Sequence, residues 1–214
     1  MLAKIILRHR GRSYLTLRER LFVLQDDIQP SSFYLRPFVL SNAASIAGWV
    51  KTAEQMRWVA PSTQLPLTAE KVMRWKKPGG QAYALVSGDS SESYEIMAYG
   101  ELNPMRQAPS NLWLGHLIVR PEHRGRGLGK VLVAGLLERA FHCYQAQRVL
   151  LVVFPDNRAA IECYCRCGFK IIREERHRFV DNGPQHRLLR LEIDVRDAIS
   201  YLPVAGGRKE LAAV

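Results

Sequence analysis

No apolar run in this 214-residue chain approaches the ~18–20 residues that a bilayer-spanning helix needs. The N-terminus, MLAKIILRHRGRSYLTLRER, has only IIL as an apolar core, with arginines directly behind it. That is too short for a secretory leader. It also lacks acid before Glu19, a faint likeness to a transit peptide; the simpler expectation is a basic extension over residues 1–32 that packs on the domain or on a second subunit. Cysteine is scarce: Cys143, Cys163, Cys165 and Cys167 are the four present. The last three read C-x-C-x-C, which lacks both the spacing and the second half-site of a zinc centre, so no metal is expected. Small buried thiols in a reducing compartment fit them better, and the expected location is the cytoplasm.

What is present is enough for a core. Hydrophobic residues make up 47% and charged residues 24% of the chain, which suits an ordered globular domain. The net charge is +11, of which residues 1–24 carry +5 and the remainder +6. Such an excess suits a phosphate-bearing ligand, an acidic partner or nonspecific nucleic-acid contact. No helix-turn-helix, zinc or RNA-binding aromatic signature accompanies the charge, so nucleic acid is the weaker expectation.

Periodicity orders the elements. FYLRPFV (33–39) reads as a strand; SNAASIAGWVKTAEQM reads as one helix with Ser41 or Asn42 as its cap; LTAEKVMRW is a second helix, opened by Thr68. QAYALVS, YEIMAYGEL and LWLGHLIV read as strands, the first two joined by a turn at GDSSES and the last two by a loop, NPMRQAPSN. A helix follows from Leu128 to Ala140, then RVLLVVF as a strand covered on both faces. DNRAAIECYCRC is a helix stopped by Gly168, and FKIIREE and HRLLRLEIDV are closing strands. The order β-α-α-β-β-β-α-β-α-β-β describes one mixed α/β domain over 33–195, with a tail over 196–214.

The densest signal is HRGRGLGK at 123–130. A P-loop would need glycine at 124 and a hydroxyl at 131, but these are Arg124 and Val131. A dinucleotide fingerprint fails at Lys130. The pattern R-x-x-G-x-G is met by Arg124, Gly127 and Gly129, after a strand and at a helix start. Glycines let backbone amides approach an oxygen-rich anion, and the helix dipole adds attraction.

The segment LIVRPEHRGRGLGKVLV, together with NRAAIECYCRCGF downstream, resembles the two signatures of the GNAT superfamily of acyl-CoA N-acyltransferases. Asn157, Ala160, Tyr164, Gly168 and Phe169 stand in matching places in the second. The likeness covers about residues 33–195 and implies a central, mostly antiparallel sheet of about seven strands, splayed between strands four and five and flanked by about four helices. It implies acetyl-CoA as donor and an amine as acceptor, reacting directly in a ternary complex. Amides and side chains of Arg124, Gly125, Arg126, Gly127, Leu128, Gly129 and Lys130 would then take the pyrophosphate. Backbone of Leu117, Ile118 and Val119 would pair with the pantetheine arm, with a bulge expected at Gly115. Asn157 would cap its helix and touch the same arm.

By the same resemblance, Tyr164 is the expected donor to the leaving thiolate. The base is left among Glu101, His116 and a water chain. Relatives often carry a Glu on the fourth strand, where this chain has Trp113; Glu101 is favoured over His116, because strand alternation puts His116 opposite Trp113 unless a bulge reverses it. The acceptor is expected near residues 42–77, where Trp49, Met56, Trp58 and Trp75 form either an aromatic wall or ordinary packing. An acyl-CoA-binding regulatory module without chemistry is the main alternative, and a homodimer is left open.

Overall fold

The computed structural model describes residues 33–88 and 94–199. The expected basic extension, most of the GDSSES turn and nearly all of the expected tail lie outside the described residues. β1 (Phe33–Pro37) is followed by three short helices, α1 (Ala43–Ala47), α2 (Ala53–Val59) and α3 (Ala69–Met73). Then come β2 (Gln81–Ser87), β3 (Glu95–Met105), β4 (Ala108–Val119), α4 (Leu128–Glu138) and β5 (Arg148–Val153). α5 (Arg158–Arg166), β6 (Lys170–His177), β7 (His186–Asp194) and α6 (Val195–Ile199) complete the chain.

The seven strands form one sheet in the order β1-β2-β3-β4-β5-β7-β6. Every neighbouring pair is antiparallel except β4 and β5, which run parallel. α4 covers one face through Leu128, Leu132, Val133, Leu136 and Leu137, packed with Tyr83, Leu102, Leu112, Leu114, Val149 and Leu151. α1–α3 form a cap on the other face, where Ile46, Trp49, Met56, Val72 and Trp75 pack on Ala82, Tyr99 and Ile118. Trp49, Met56 and Trp75 are each at most 6% exposed, so packing is their first role. Burying such side chains stabilises the cap by roughly 1.5–3 kcal/mol each.

Two sequence expectations change. The single helix over 41–56 is split, because Gly48 ends α1 and Thr52 starts α2 by accepting a hydrogen bond from the Gln55 amide at 3.2 Å. Neither Ser41 nor Asn42 supplies a side-chain cap. The loop expected over NPMRQAPSN is instead a continuous hairpin, in which β3 runs to Met105 and β4 starts at Ala108. Pro104 is tolerated there because β2 pairs with β3 only as far as Leu102, which leaves the missing N–H on an edge. The cysteines also differ: Cys167 is buried and Cys163 half-buried, but Cys143 and Cys165 are exposed, and all four are free thiols.

Candidate active site

β4 and β5 pair only at Asn111–Arg148, Leu112–Val149 and Trp113–Leu150. Beyond Leu114 they diverge, and a cavity of about 1230 Å³ opens between the splayed strands, the starts of α4 and α5, and the cap. Its lining includes Gly115 to Val119, Gly127 to Lys130, Asn157, Tyr164 and, from the cap, Trp58 and Trp75.

A bulge shapes the wall. Tyr99 faces Ile118 but Glu101 faces Gly115, so Gly100 opposes both His116 and Leu117. His116 has a φ of +49°, the left-handed region that a side chain enters at a cost. One extra residue inverts the in-and-out parity of a strand. Leu112 and Leu114 accordingly point to the α4 side, whereas Ile118 points to the cap. The bulge thus sits one residue beyond the expected Gly115. It brings His116 onto the cap face, where its ring stacks on Trp75 with centroids 4.7 Å apart and planes 3° from parallel.

On the facing strand, alternation puts Tyr99, Glu101 and Asn103 on the same side. Glu101 is 0% exposed. Its carboxylate accepts from Tyr99 Oη at 2.6 Å and from Asn103 Nδ2 at 3.1 Å. His116 Nδ1 lies 3.1 Å from Glu101 Oε2; it makes no well-aligned hydrogen bond, so this is a close electrostatic contact. Burial alone would raise the Glu101 carboxyl, but the His116 contact and the Tyr99 and Asn103 bonds outweigh it and hold the group below the usual carboxylate range. Gly115 keeps room for the cluster, since a Cβ there would lie 3.1 Å from Asn103 Nδ2 and 3.5 Å from Glu101 Oε2. The two candidate bases are therefore one pair: His116 lines the cavity, and Glu101 stands behind it.

The glycine loop is equally local in origin. Pro121–His123 form a single 3-10 turn, and Gly127 then opens α4 with a φ of +82°, which glycine adopts without strain. Among the described residues, Gly125 to Gly129 donate no backbone hydrogen bond of good geometry, as expected of a helix start. Lys130 is 7% exposed, and its Nζ is buried with no hydrogen-bond partner. Unengaged amides and a buried ammonium make a donor set suited to an oxyanion. Arg126 does not line the cavity. Arg124 turns away from the amides, giving Nε to the Val119 carbonyl at 3.0 Å and a terminal nitrogen to the Trp49 carbonyl at 3.1 Å.

Across the cavity, Asn157 caps α5 by accepting from the Ala160 amide at 3.3 Å. Tyr164 sits edge-on to Phe169 at 6.1 Å. Burial, with Cys163 and Cys167 alongside, pushes its phenol well above the ordinary tyrosine range, so it stays protonated. The sequence alone missed Trp75 as the partner of His116, and Tyr99 and Asn103 as holders of Glu101. The i, i+2 run Tyr99-Glu101-Asn103 was the available signal. Among the described residues no group of three His, Cys, Asp or Glu could hold a metal, and no helix is long and apolar enough to cross a membrane.

Comparison with known proteins agrees with this architecture. Residues 42–169 match the acetyltransferase (GNAT) family. The chain is 26% identical over 131 residues to a spermine/spermidine N(1)-acetyltransferase of Bacillus subtilis, covering 60% of this chain and 82% of that one. It is 30% identical over 80 residues to an N-alpha-acetyltransferase of Sulfurisphaera tokodaii, covering 36% and 48%. The fold matches a Vibrio cholerae spermidine N-acetyltransferase, solved with CoA and spermine, at a TM-score of 0.64 and 17% identity, over 78% of this chain and 98% of that chain. With the splayed sheet, the glycine loop and the family match in agreement, the chain belongs to the GNAT acetyltransferase family and is an N-acetyltransferase.

Proposed function

We propose that the chain transfers an acetyl group from acetyl-CoA to a primary amine, with His116 as the general base and Glu101 as its positioning residue. The observation that carries this reading is the bulge, which turns His116 into the cavity with a buried carboxylate at its Nδ1. Nε2 is then the nitrogen left for the acceptor. Glu101, close to Nδ1, offsets the charge gained on protonation, while Trp75 holds the ring plane.

Gly125 to Gly129 offer amides, and Lys130 an ammonium, to the pyrophosphate of the donor. Arg124 secures the loop, and Arg126 adds only surface potential. Leu117, Ile118 and Val119 present a strand edge to the pantetheine arm, because β5 has left it. Asn157 borders the same channel. The thioester supplies the activated carbonyl. The amine nitrogen forms the new C–N bond as the C–S bond breaks; Tyr164 donates a hydrogen bond to the departing sulfur, and His116 takes the amine proton and releases it to solvent as the thiolate is protonated. The catalytic unit is residues 33–195.

The test is single-turnover acetyl transfer by wild type and His116→Ala. The variant should bind CoA normally and lose about 10²–10⁴-fold in the chemical step. An unchanged chemical step would remove His116 from the reaction. If wild type bound CoA yet acetylated no amine, the regulatory-module reading would replace this one.

A further inference from the structure

The charges around the acceptor end are the reverse of what a polycation needs. The cap contributes four charged residues to the cavity lining: Glu54 alone is acidic, against Lys71, Arg74 and Lys77. Lys71 is occupied, donating to the carbonyls of Gln64 at 2.7 Å and Pro66 at 2.8 Å. Arg74 and Lys77 form no ion pair among the described residues, and both are exposed. They flank Trp75, whose ring lies against His116, so their side chains leave the backbone on either side of the group nearest the base. Glu70, one turn before Arg74, is held chiefly by Thr68; it also feels the Arg74 charge, without a close ion pair, and lies outside the lining.

The other carboxylates nearby are already matched. Glu162 pairs with Arg166, and Asp156 with Arg57. Glu175 accepts from Arg190 at 2.7 Å and contacts His177 at 2.6 Å. Two of the aromatic rings lining the cavity already hold guanidinium groups: Arg57 lies 4.5 Å from the Phe154 centroid, and Arg190 lies 5.5 Å from that of Trp113. From the cap, a polyamine would meet one carboxylate and two cations outside any close ion pair. Like charges across a recognition surface exclude a partner more strongly than neutral ones do.

We infer that the acceptor is a small amine that also carries an oxyanion, a carboxylate or a phosphonate, held by Arg74 and Lys77 while its amine meets His116. This rests on the reading of His116 given above, and it separates the chain from relatives named for spermine and spermidine. The shared chemistry is the negatively charged oxygen; the size of the anion is a matter for the test.

The experiment compares chain-matched amines that differ in charge: cadaverine, ε-aminocaproate and an aminopentyl phosphonate. Thiol release from acetyl-CoA is measured for wild type and for the double variant Arg74→Glu/Lys77→Glu. Wild type should prefer one or both anionic amines over cadaverine by about tenfold or more in kcat/KM, and the double variant should invert that order. The carboxylate and phosphonate arms then identify which oxyanion fits. Both replaced residues are exposed, and an unchanged KM for acetyl-CoA confirms that the variant is folded. Calorimetry with CoA and the N-acetylated form of each amine reads the same preference without turnover. An anion preference without turnover would sustain this inference and strike the catalytic one. Preference for cadaverine by wild type, or an order that ignores the charge reversal, would overturn it.

Discussion

Two stretches of the same strand, β4, do opposite things. Residues 111–113 are held by strands on both sides, β3 and β5, and close the sheet; residues 114–119 keep β3 alone and open it. The difference lies in one extra residue at the bulge and in the direction taken by β5, not in hydrophobicity. A strand can be a beam at one end and the rim of a site at the other, with a parity change marking the boundary.

The largest expected effect on that contrast comes from the far rim of the open half. Tyr164→Phe should lower kcat by about 10² with the KM for acetyl-CoA nearly kept; steady-state kinetics with saturating amine decides this, and the opposite split would make Tyr164 a binding residue. Gly127→Val forces a β-branched residue to a φ of +82° and crowds the amides. It should raise the KM for acetyl-CoA about 10–100-fold, the equivalent of ~1–3 kcal/mol of strain, and a KM that stays put would locate the anion elsewhere. Glu101→Gln tests the facing strand: kcat should fall about tenfold while CoA affinity, read by titration, is retained, whereas loss of both would indicate that the carboxylate only supports the fold.

The smallest expected effect lies on β6 and is driven by acid. Burial works against ionisation of Glu175, but bonds from Arg190 and His177 prevail and hold it at about 2, against an ordinary 4.5. A depressed carboxyl contributes stability above its unfolded value that is lost as pH falls towards the folded one. Denaturation midpoints should therefore drop between pH 4.5 and about 2, and Glu175→Gln should flatten that decline.

Much of this was legible in the residues. The glycine-loop wall of the cavity is built from contiguous backbone, so HRGRGLGK and its flanking strand and helix carry it within one short segment. The element order also followed from periodicity. The hairpin was misread because Pro104 and Pro109 look like loop residues, and only the strand order reveals that Pro104 lies on an edge. The geometry of the two candidate bases was hidden for a related reason. Glu101 and His116 are ordinary residues in separate strands, and which of them faces the cavity depends on a register shift that no local pattern encodes. The acceptor side is assembled from helix fragments whose charges acquire meaning only once their partners are known.

Arg124 has the last word on how the halves communicate. Its position in the glycine motif suggests a phosphate ligand, yet its guanidinium spans from the end of β4 to the end of α1 through the Val119 and Trp49 carbonyls. In mechanical terms it is a tie rod between the glycine loop and the α1–α3 cap. On the function proposed above, that tie links the loop that takes the donor to the cap that faces the acceptor.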